Sequence, residues 1–183
     1  MKAYSDVKRK FMFDGNNTSI IVNIDDKVGE SIFKKSTLSS KNKISFSIHK
    51  KSKIQATDIS QNYNNLKFNL SYYGETFPIT LKLSGYFNVY NILGVVGCLS
   101  ARGYEIKQII DSLKCIKVVP GRSEYIISNN GFQSVMIDYA HTDDALENIL
   151  KSVKNNAFRK ILLVFGAGGG RDKGKRKAMA RIA

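Results

Sequence analysis

The sequence lacks the features of a secreted, membrane-spanning or disulfide-stabilised protein. It has two cysteines, Cys98 and Cys115, among 183 residues, which is too few for a disulfide scaffold. No apolar run approaches the roughly 18 residues of a transmembrane helix. The N-terminal residues have no apolar stretch of the kind found in secretory signals. Because both cysteines lie in apolar, helix-like stretches, we expect buried, reduced thiols in a cytoplasmic protein with no membrane insertion.

Positive charge, by contrast, is abundant. The chain has 29 Lys and Arg against 15 Asp and Glu, a net charge of +14. Such a balance is common in nucleic-acid-binding proteins, and a basic nucleic-acid-binding module stays an alternative. However, 22 of the 29 basic residues are lysines, and residues 1–83 and 84–183 each carry +7. Because the charge is not concentrated in one stripe, we expect no nucleic acid as a partner.

The hydrophobic periodicity changes along the first two thirds of the chain. Residues 43–83 alternate apolar and polar side chains with a period of two, which predicts an antiparallel sheet with a hairpin turn at 73–75. The other predicted elements are a strand at 19–25, a helix from Asp26, a helix at 88–102 closed by Gly103, and a helix at 105–114.

A second pattern begins at Pro120 and Gly121, where we place a domain boundary. The predicted elements beyond it are strands at 124–128, 133–138 and 160–165, a helix at 142–154, a glycine run and a basic helix. Strands that alternate with helices favour a parallel α/β sheet. Since about 63 residues are few for such a domain, we expect the chain to be part of a longer protein.

The first segment with candidate site residues is SGYFNVYNILG. Asn88 and Asn91 are three residues apart, so they share one face at the start of the predicted helix. A carboxamide both donates and accepts hydrogen bonds, which suits the reading of a base. The alternative is an N-cap at Asn88 and a solvated Asn91.

The second segment joins PGRSE to VMIDYAHTDDALE. Asp138 ends an apolar strand, and His141 follows just before a predicted helix. Ligands of open α/β sheets bind beyond the carboxyl ends of strands. There, Asp138 can accept hydrogen bonds from a ribose diol and Arg122 can hold a phosphate. The alternative is that Asp138 helps to cap the helix and His141 is a surface residue.

The third segment is the glycine run in ILLVFGAGGGRDKGKRKAM. Residues 169–175 fit G-x-x-x-x-G-K, but Arg176 stands where a phosphate loop has its magnesium-binding Ser or Thr. The segment is therefore not a standard nucleotide loop. Arg171 between glycines suits recognition of a carboxylate, and the alternative is a flexible basic turn.

Together these segments resemble the Mur ligases of peptidoglycan synthesis, and among them the type that adds the third amino acid to UDP-MurNAc-dipeptide. The family patterns read G-x-F-N-V-Y-N, G-R-x-E, D-Y-A-H-T-P-D-A-L-E and F-G-x-G-G-x-R-D-x-G-K-R. The chain has GYFNVYN, GRSE, DYAHTDDALE and FGAGGGRDKGKR in the same order. The resemblance covers nearly the whole chain.

The resemblance implies an α/β fold in two parts. Residues 1–119 correspond to the later part of the central ATP-binding domain, and residues 120–183 correspond to the start of a C-terminal Rossmann-like domain. The implied ATP-binding residues are Asn88, Asn91, Arg122, Asp138 and His141. Arg171 corresponds to the arginine that binds the carboxylate of the incoming amino acid. No catalytic residue and no metal ligand is assigned within this segment.

The resemblance also implies the partners of the complete enzyme. They are ATP, magnesium with ligands outside this segment, UDP-MurNAc-dipeptide and a diamino acid, bound by a monomer. Because the segment has no phosphate loop and no carbamylated lysine, we expect the isolated chain to be inactive. The sequence leaves open diaminopimelate or lysine as the amino acid. Another Mur ligase and a folylpolyglutamate synthase-like ligase stay alternatives.

Three residues depart from the family pattern. Asp143 and Lys177 stand where the family has proline, next to predicted helix starts. Gly170 stands where the family has aspartate, beside Arg171. Because Gly170 adjoins Arg171, the match to the family pattern is weakest at the amino-acid site.

Overall fold

The structure is a computed structural model that describes residues 6–7, 10, 19–62, 65–127, 134–154, 160–168, 170 and 174–183. Its strands are β1 (Ile20–Asn23), β2 (Lys43–Ser47), β3 (Ile54–Asn62), β4 (Asn65–Tyr72), β5 (Glu75–Leu81), β6 (Glu124–Ile127) and β7 (Ser134–Ile137). Its helices are α1 (Lys27–Lys35), α2 (Tyr86–Ala101), α3 (Ile106–Leu113), α4 (Asp143–Lys154) and α5 (Gly174–Ile182).

The chain divides into two compact units. The first consists of Met1–Ser60, Leu66–Leu81 and Phe87–Ile116. The second consists of Gln61–Asn65, Lys82–Tyr86 and Lys117–Ala183. The candidate residues Asn88 and Asn91 belong to the first unit, whereas the other ATP-site candidates belong to the second.

Strands β1 to β5 form one sheet in sequence order. Contrary to the antiparallel sheet predicted for residues 43–83, β2 pairs with β3 in parallel, and β2 also pairs in parallel with β1. Period-two alternation shows which side chains share a face but carries no information on the direction of a neighbouring strand. The parallel pairs bring the carboxyl ends of β1 and β2 to the same edge, beside Asp25 and Ser47.

The hairpin between β4 and β5 is antiparallel, as predicted. Tyr72 pairs with Glu75, so the loop consists of two residues. Tyr73 and Gly74 both have positive φ angles, of 49° and 98°. Two left-handed residues form the tight turn whose twist matches that of the flanking strands.

Helix α2 packs against the parallel part of the sheet. Its buried side is formed by Val89, Ile92, Leu93, Val96 and Gly97. A Cβ on Gly97 would lie 2.6 Å from Cγ2 of Ile21, so glycine allows the helix to approach β1 closely.

The carboxyl end of α2 closes at Gly103, as predicted. Gly103 has a φ of 85°. Its N–H donates to the Ser100 carbonyl at 2.9 Å, and the Tyr104 N–H donates to the Leu99 carbonyl at 3.2 Å. These two bonds satisfy carbonyls that the last helical turn would leave without a partner.

In the second unit, β6 and β7 form an antiparallel pair, contrary to the parallel sheet predicted beyond Pro120, because the six residues between them are too few for a parallel crossover connection. Helix α4 begins where predicted, and Thr142 Oγ1 accepts a hydrogen bond of 3.2 Å from the Ala145 N–H. The predicted strand at 160–165 is wrong, since the described residues 160–168 lie in neither strand nor helix. A strand requires a hydrogen-bonded neighbour, and this segment has apolar residues that stay exposed, with Leu162 at 82% and Val164 at 97%.

The prediction that both cysteines are buried is also wrong, because Cys98 and Cys115 are exposed. Cys98 follows Gly97, the last residue of the buried stripe of α2, and is turned by about 100° from it. Cys115 comes after the end of α3. An apolar segment can therefore form a helix and still expose its thiol.

Across the described parts of the chain, no helix combines the length and hydropathy needed to cross a membrane.

Candidate functional site

Asn88 and Asn91 lie together on the first half of α2, as their spacing predicts. The Asn91 Nδ2 group donates a hydrogen bond of 3.2 Å to Oδ1 of Asn88. Val89, between them, is fully buried and fixes the opposite side of the helix in the core. Asn91 is exposed and Asn88 is half-buried. Since an amide has two N–H groups and a carbonyl, this bond leaves Asn91 with a donor and an acceptor for a ligand.

A carboxylate in the same unit joins this helix to the sheet. Asp25 accepts hydrogen bonds from Ser47 Oγ at 2.6 Å, from the Ile48 N–H at 2.8 Å and from the His49 N–H at 3.3 Å. It also accepts a bond of 3.0 Å from the hydroxyl of Tyr90, which lies between the two asparagines in sequence. Asp25 thus connects the ends of β1 and β2 to α2.

The charge state of this pair follows from its surroundings. Burial alone would raise the pKa of Asp25, but the hydrogen bonds from Ser47, Ile48, Tyr90 and His49 outweigh burial and lower the pKa. Burial, the bond to Asp25 and the charge of Asp25 raise the pKa of Tyr90. At neutral pH an ionised carboxylate therefore accepts from a protonated phenol, which is a charge-assisted hydrogen bond.

Sequence reasoning missed this role of Asp25. Its partners Ser47 and Tyr90 are 22 and 65 residues away, so no local spacing connects them. The available signal was the segment VNIDD, in which a polar pair follows a buried strand directly.

In the second unit, Asp138 follows β7 as predicted, and both of its carboxylate oxygens are engaged. Oδ2 accepts from the Ser123 N–H at 2.8 Å and from Ser123 Oγ at 3.3 Å. Oδ1 accepts from the Ala140 N–H at 2.8 Å. Asp138 therefore holds the start of β6 against the end of β7, whereas Thr142 caps the helix. A carboxylate has about four acceptor positions and three are used here, so about one is left for a ribose hydroxyl.

Arg122, Tyr139 and His141 form an exposed stack beside Asp138. The Arg122 guanidinium carbon lies 4.8 Å from the centre of the Tyr139 ring. The Tyr139 and His141 rings are 4.9 Å apart, and His141 Nδ1 is 3.0 Å from the Tyr139 carbonyl oxygen. All three residues are exposed. The stack places a cation and two aromatic rings where a phosphate or a base could bind. The role of Tyr139 was not predicted from the sequence.

Arg171 lies outside the described residues. Its neighbour Gly170 is described and exposed. Among the residues that the structure describes, no group of three or more His, Cys, Asp or Glu side chains is arranged to hold a metal ion.

Comparisons with known proteins agree with the sequence motifs. The sequence model of the Mur ligase middle domain family matches residues 1–99. The sequence model of the Mur ligase glutamate ligase domain family matches residues 121–183. The UDP-N-acetylmuramoyl-L-alanyl-D-glutamate–2,6-diaminopimelate ligase 1 of Clostridium acetobutylicum is 35% identical over 96% of this chain. The corresponding ligase of Lactiplantibacillus plantarum is 36% identical over 98% of it. In each case the chain spans 36% of the relative's length.

Solved structures show the same relationship. A UDP-N-acetylmuramoyl-L-alanyl-D-glutamate–2,6-diaminopimelate ligase aligns with all of this chain and 38% of its own, with a TM-score of 0.70 and 26% identity. A pseudomurein peptide ligase type C from Methanothermus fervidus aligns with 82% of this chain and 37% of its own, with a TM-score of 0.67 and 21% identity, a likeness of fold. These matches confirm the predicted α/β fold class and the predicted family.

Proposed function

The chain belongs to the Mur ligase family, and on that basis we propose that it forms part of an ATP-dependent ligase that adds the third amino acid to UDP-MurNAc-dipeptide. The observation that carries this proposal is the sequence identity of 35–36% to 2,6-diaminopimelate ligases, in alignments that cover 96–98% of the chain. The same relatives favour diaminopimelate over lysine as the amino acid.

We divide the chain at residue 120. Residues 1–119 supply the later part of the central ATP-binding domain, and residues 120–183 supply the start of the C-terminal domain. This division is supported by the gap between the two family matches and by the turn at Gly121, which has a φ of 69°.

The proposed roles in ATP binding follow the chemistry of each group. Asn91, supported by Asn88, reads the adenine edge with an amide donor and acceptor. Asp138 accepts from the ribose hydroxyls, Arg122 contacts phosphate oxygens, and His141 lies beside them.

In the complete reaction, ATP transfers its γ-phosphoryl group to the terminal carboxylate of the dipeptide and leaves as ADP. The amino group of the incoming residue then attacks the acyl phosphate, loses a proton and displaces inorganic phosphate. This chain contributes positioning and charge complementarity. Magnesium, bound outside this segment, supplies charge stabilisation to the phosphates. The chain by itself is inactive, because its G-x-x-x-x-G-K segment continues with Arg176 instead of a magnesium-binding hydroxyl.

Arg171 binds the carboxylate of the incoming amino acid in this proposal. A guanidinium forms two parallel hydrogen bonds with a carboxylate, which fixes both the position and the orientation of the amino acid. Support comes from the FGAGGGRDKGKR segment, in which Arg171 lies between the glycines and a basic helix.

The nucleotide site is tested with Asn91→Ala in the complete gene product that contains this chain. We expect weaker ATP binding and a smaller preference for ATP over GTP, because adenine and guanine differ at the edge that the amide reads. Asn69→Ala is the matched control, since it removes an amide in β4 that bonds to Asp58 at 2.8 Å. Equal effects of the two variants on ATP affinity and on base preference would refute the assignment of Asn91.

A further inference from the structure

Helix α2 is fixed to the sheet by a tyrosine hydroxyl at each end. Near its start, Tyr90 donates to Asp25 at 3.0 Å. At its other end, the hydroxyl of Tyr72 in β4 and Ser100 Oγ are 2.6 Å apart. Each contact uses one tyrosine hydroxyl; the first, to a carboxylate, is one residue from Asn91, and the second, to a neutral hydroxyl, is nine residues from it. The Tyr72–Ser100 contact can therefore serve as a control for the Tyr90–Asp25 contact.

The Asp25 contact constrains how the first half of α2, which carries the asparagines, is rotated about the helix axis. Apolar packing of Val89 and Leu93 holds the helix against the sheet, but such packing is non-directional and tolerates small rotations. A hydrogen bond is directional and weakens steeply when its angle changes. Since successive residues are about 100° apart on a helix, fixing Tyr90 also fixes the direction of Asn88 and Asn91.

Asp25 is itself held firmly. Ser47, which donates to it at 2.6 Å, is fully buried in β2, and the Ile48 N–H belongs to the main chain. The carboxylate therefore cannot follow a displaced Tyr90 without breaking bonds to the sheet. Asp25 is thus a fixed acceptor, and Tyr90 is its donor on the helix. Together they define one orientation of the side of α2 that carries Asn88 and Asn91, which we call the asparagine face.

We propose that Asp25 and Tyr90 are positioning residues for nucleotide binding, and that they act through Asn91 by holding the asparagine face of α2 toward the adenine. This proposal rests on the proposed function, because it assumes that Asn91 contacts the base. It adds that Asp25, which lies just after β1, affects the affinity for ATP by acting through Tyr90 and Asn91.

The test compares Tyr90→Phe with Tyr72→Phe in the complete gene product, with ATP affinity measured by isothermal titration calorimetry. Each variant removes one hydroxyl that forms a hydrogen bond between α2 and its surroundings, and each keeps the ring. We expect Tyr90→Phe to weaken ATP binding about 3- to 12-fold, the effect of losing one neutral hydrogen bond between Asn91 and the base. We expect Tyr72→Phe to change it by less than about twofold, since that bond is remote from Asn91. Similar affinities of the two variants would overturn the proposal.

A double-mutant cycle with Asn91→Ala separates positioning from general destabilisation. If Tyr90 acts through Asn91, the double variant binds ATP no more weakly than Asn91→Ala alone. Additive losses would overturn the proposal while leaving the proposed function intact. Unchanged ATP affinity in Asn91→Ala, or no ATP binding by the unaltered protein, would refute the proposed function and this inference together.

Asp25→Asn provides a second variant if Tyr90→Phe does not fold. It keeps the shape of the side chain and removes its charge, so the Tyr90 bond weakens. We expect the same loss of ATP affinity and the same absence of additivity with Asn91→Ala. Full ATP affinity in a folded Asp25→Asn protein would contradict the positioning role.

Discussion

The main-chain N–H of Ser123 donates a hydrogen bond of 2.8 Å to the carboxylate of Asp138. Ser123 has a φ of 47°, a left-handed conformation that few residues other than glycine adopt without cost. The bond to Asp138 stabilises that conformation and joins the start of β6 to the end of β7. The residue proposed to bind ribose thus also holds together the turn on which it lies.

This double role predicts two effects of Asp138→Asn in the complete gene product. ATP affinity should fall by about 1–3 kcal/mol, because the amide loses the charge and one acceptor. Thermal stability should fall as well, since one amide group cannot accept from both Ser123 and Ala140. Titration with ATP and a thermal melt measure the two effects separately.

The ribose contact itself is tested with 2′-deoxy ATP. The variant should discriminate less between ATP and the deoxy nucleotide than the unaltered protein does, because part of the sugar contact is already lost. If both proteins discriminate equally, Asp138 does not contact the sugar, and its role is limited to the Ser123 turn.

Gly29 in α1 is predicted to be essential for stability. A Cβ at this position would overlap the carbonyl oxygen of Asn23, which is main chain and cannot rotate away. Gly29→Ala should therefore destabilise the purified chain by about 3 kcal/mol or more. Gly94→Ala is the control, because its Cβ would lie 3.8 Å from Phe46 Cζ, an ordinary contact.

The control should behave in the opposite way. Alanine in the middle of α2 is favoured over glycine by roughly 0.5–1 kcal/mol, so Gly94→Ala should be neutral or stabilising. Urea unfolding of the two variants and the unaltered chain measures both effects. A Gly29→Ala protein as stable as the Gly94→Ala protein would show that α1 does not approach β1 as described.

The lowered pKa of Asp25 predicts how stability depends on pH. A carboxyl group whose pKa falls below its ordinary value of 3.8 on folding stabilises the protein above that pH. The stabilisation is lost as the pH falls through the lowered folded pKa. An Asp25→Asn variant lacks this titrating group. The unaltered chain should therefore be more stable than the variant by about 2 kcal/mol from pH 7 to 5, and this difference in unfolding free energy should become smaller below pH 4.

Denaturant unfolding of the chain and its Asp25→Asn variant over this pH range measures the difference. If the stability advantage of the unaltered chain over Asp25→Asn grew as the pH falls, Asp25 would have a raised pKa. That result would show that burial, and not the hydrogen bonds from Ser47 and Tyr90, dominates its surroundings.

Elements determined by local chemistry were predictable from the sequence. Asp26 caps α1 by accepting from the N–H groups of Val28 and Gly29, at 2.9 Å each, as a polar residue before an amphipathic stretch indicates. The turn at Gly74 and the helix end at Gly103 follow equally from the left-handed conformations that glycine permits.

Features that depend on distant partners were not predictable. The parallel pairing of β2 with β1 and β3 is determined by how strands meet in the sheet, which alternation along one strand does not reveal. The Asp25–Tyr90 bond joins residues 65 positions apart. Motifs pointed to Asn88, Asn91 and Asp138, but they did not indicate the contacts of Asp25 and Tyr139.

Arg171→Lys is predicted to affect the amino-acid substrate selectively. Lysine keeps the charge but cannot form the two parallel bonds of a guanidinium with a carboxylate. In the complete gene product, the apparent KM for the amino acid should rise about tenfold, as expected for a loss of about 1.4 kcal/mol, while that for ATP stays nearly unchanged. Equal increases for both substrates would exclude Arg171 as the carboxylate ligand.

We propose that the complete gene product adds a diamino acid to UDP-MurNAc-dipeptide. Ligation by this protein is measured with diaminopimelate and lysine offered separately, and the products are detected by mass spectrometry. We expect UDP-MurNAc-tripeptide to form from diaminopimelate, with one ADP and one phosphate released per amide bond. ATP-dependent addition of glutamate to a folate instead, or no product from either diamino acid, would contradict the account.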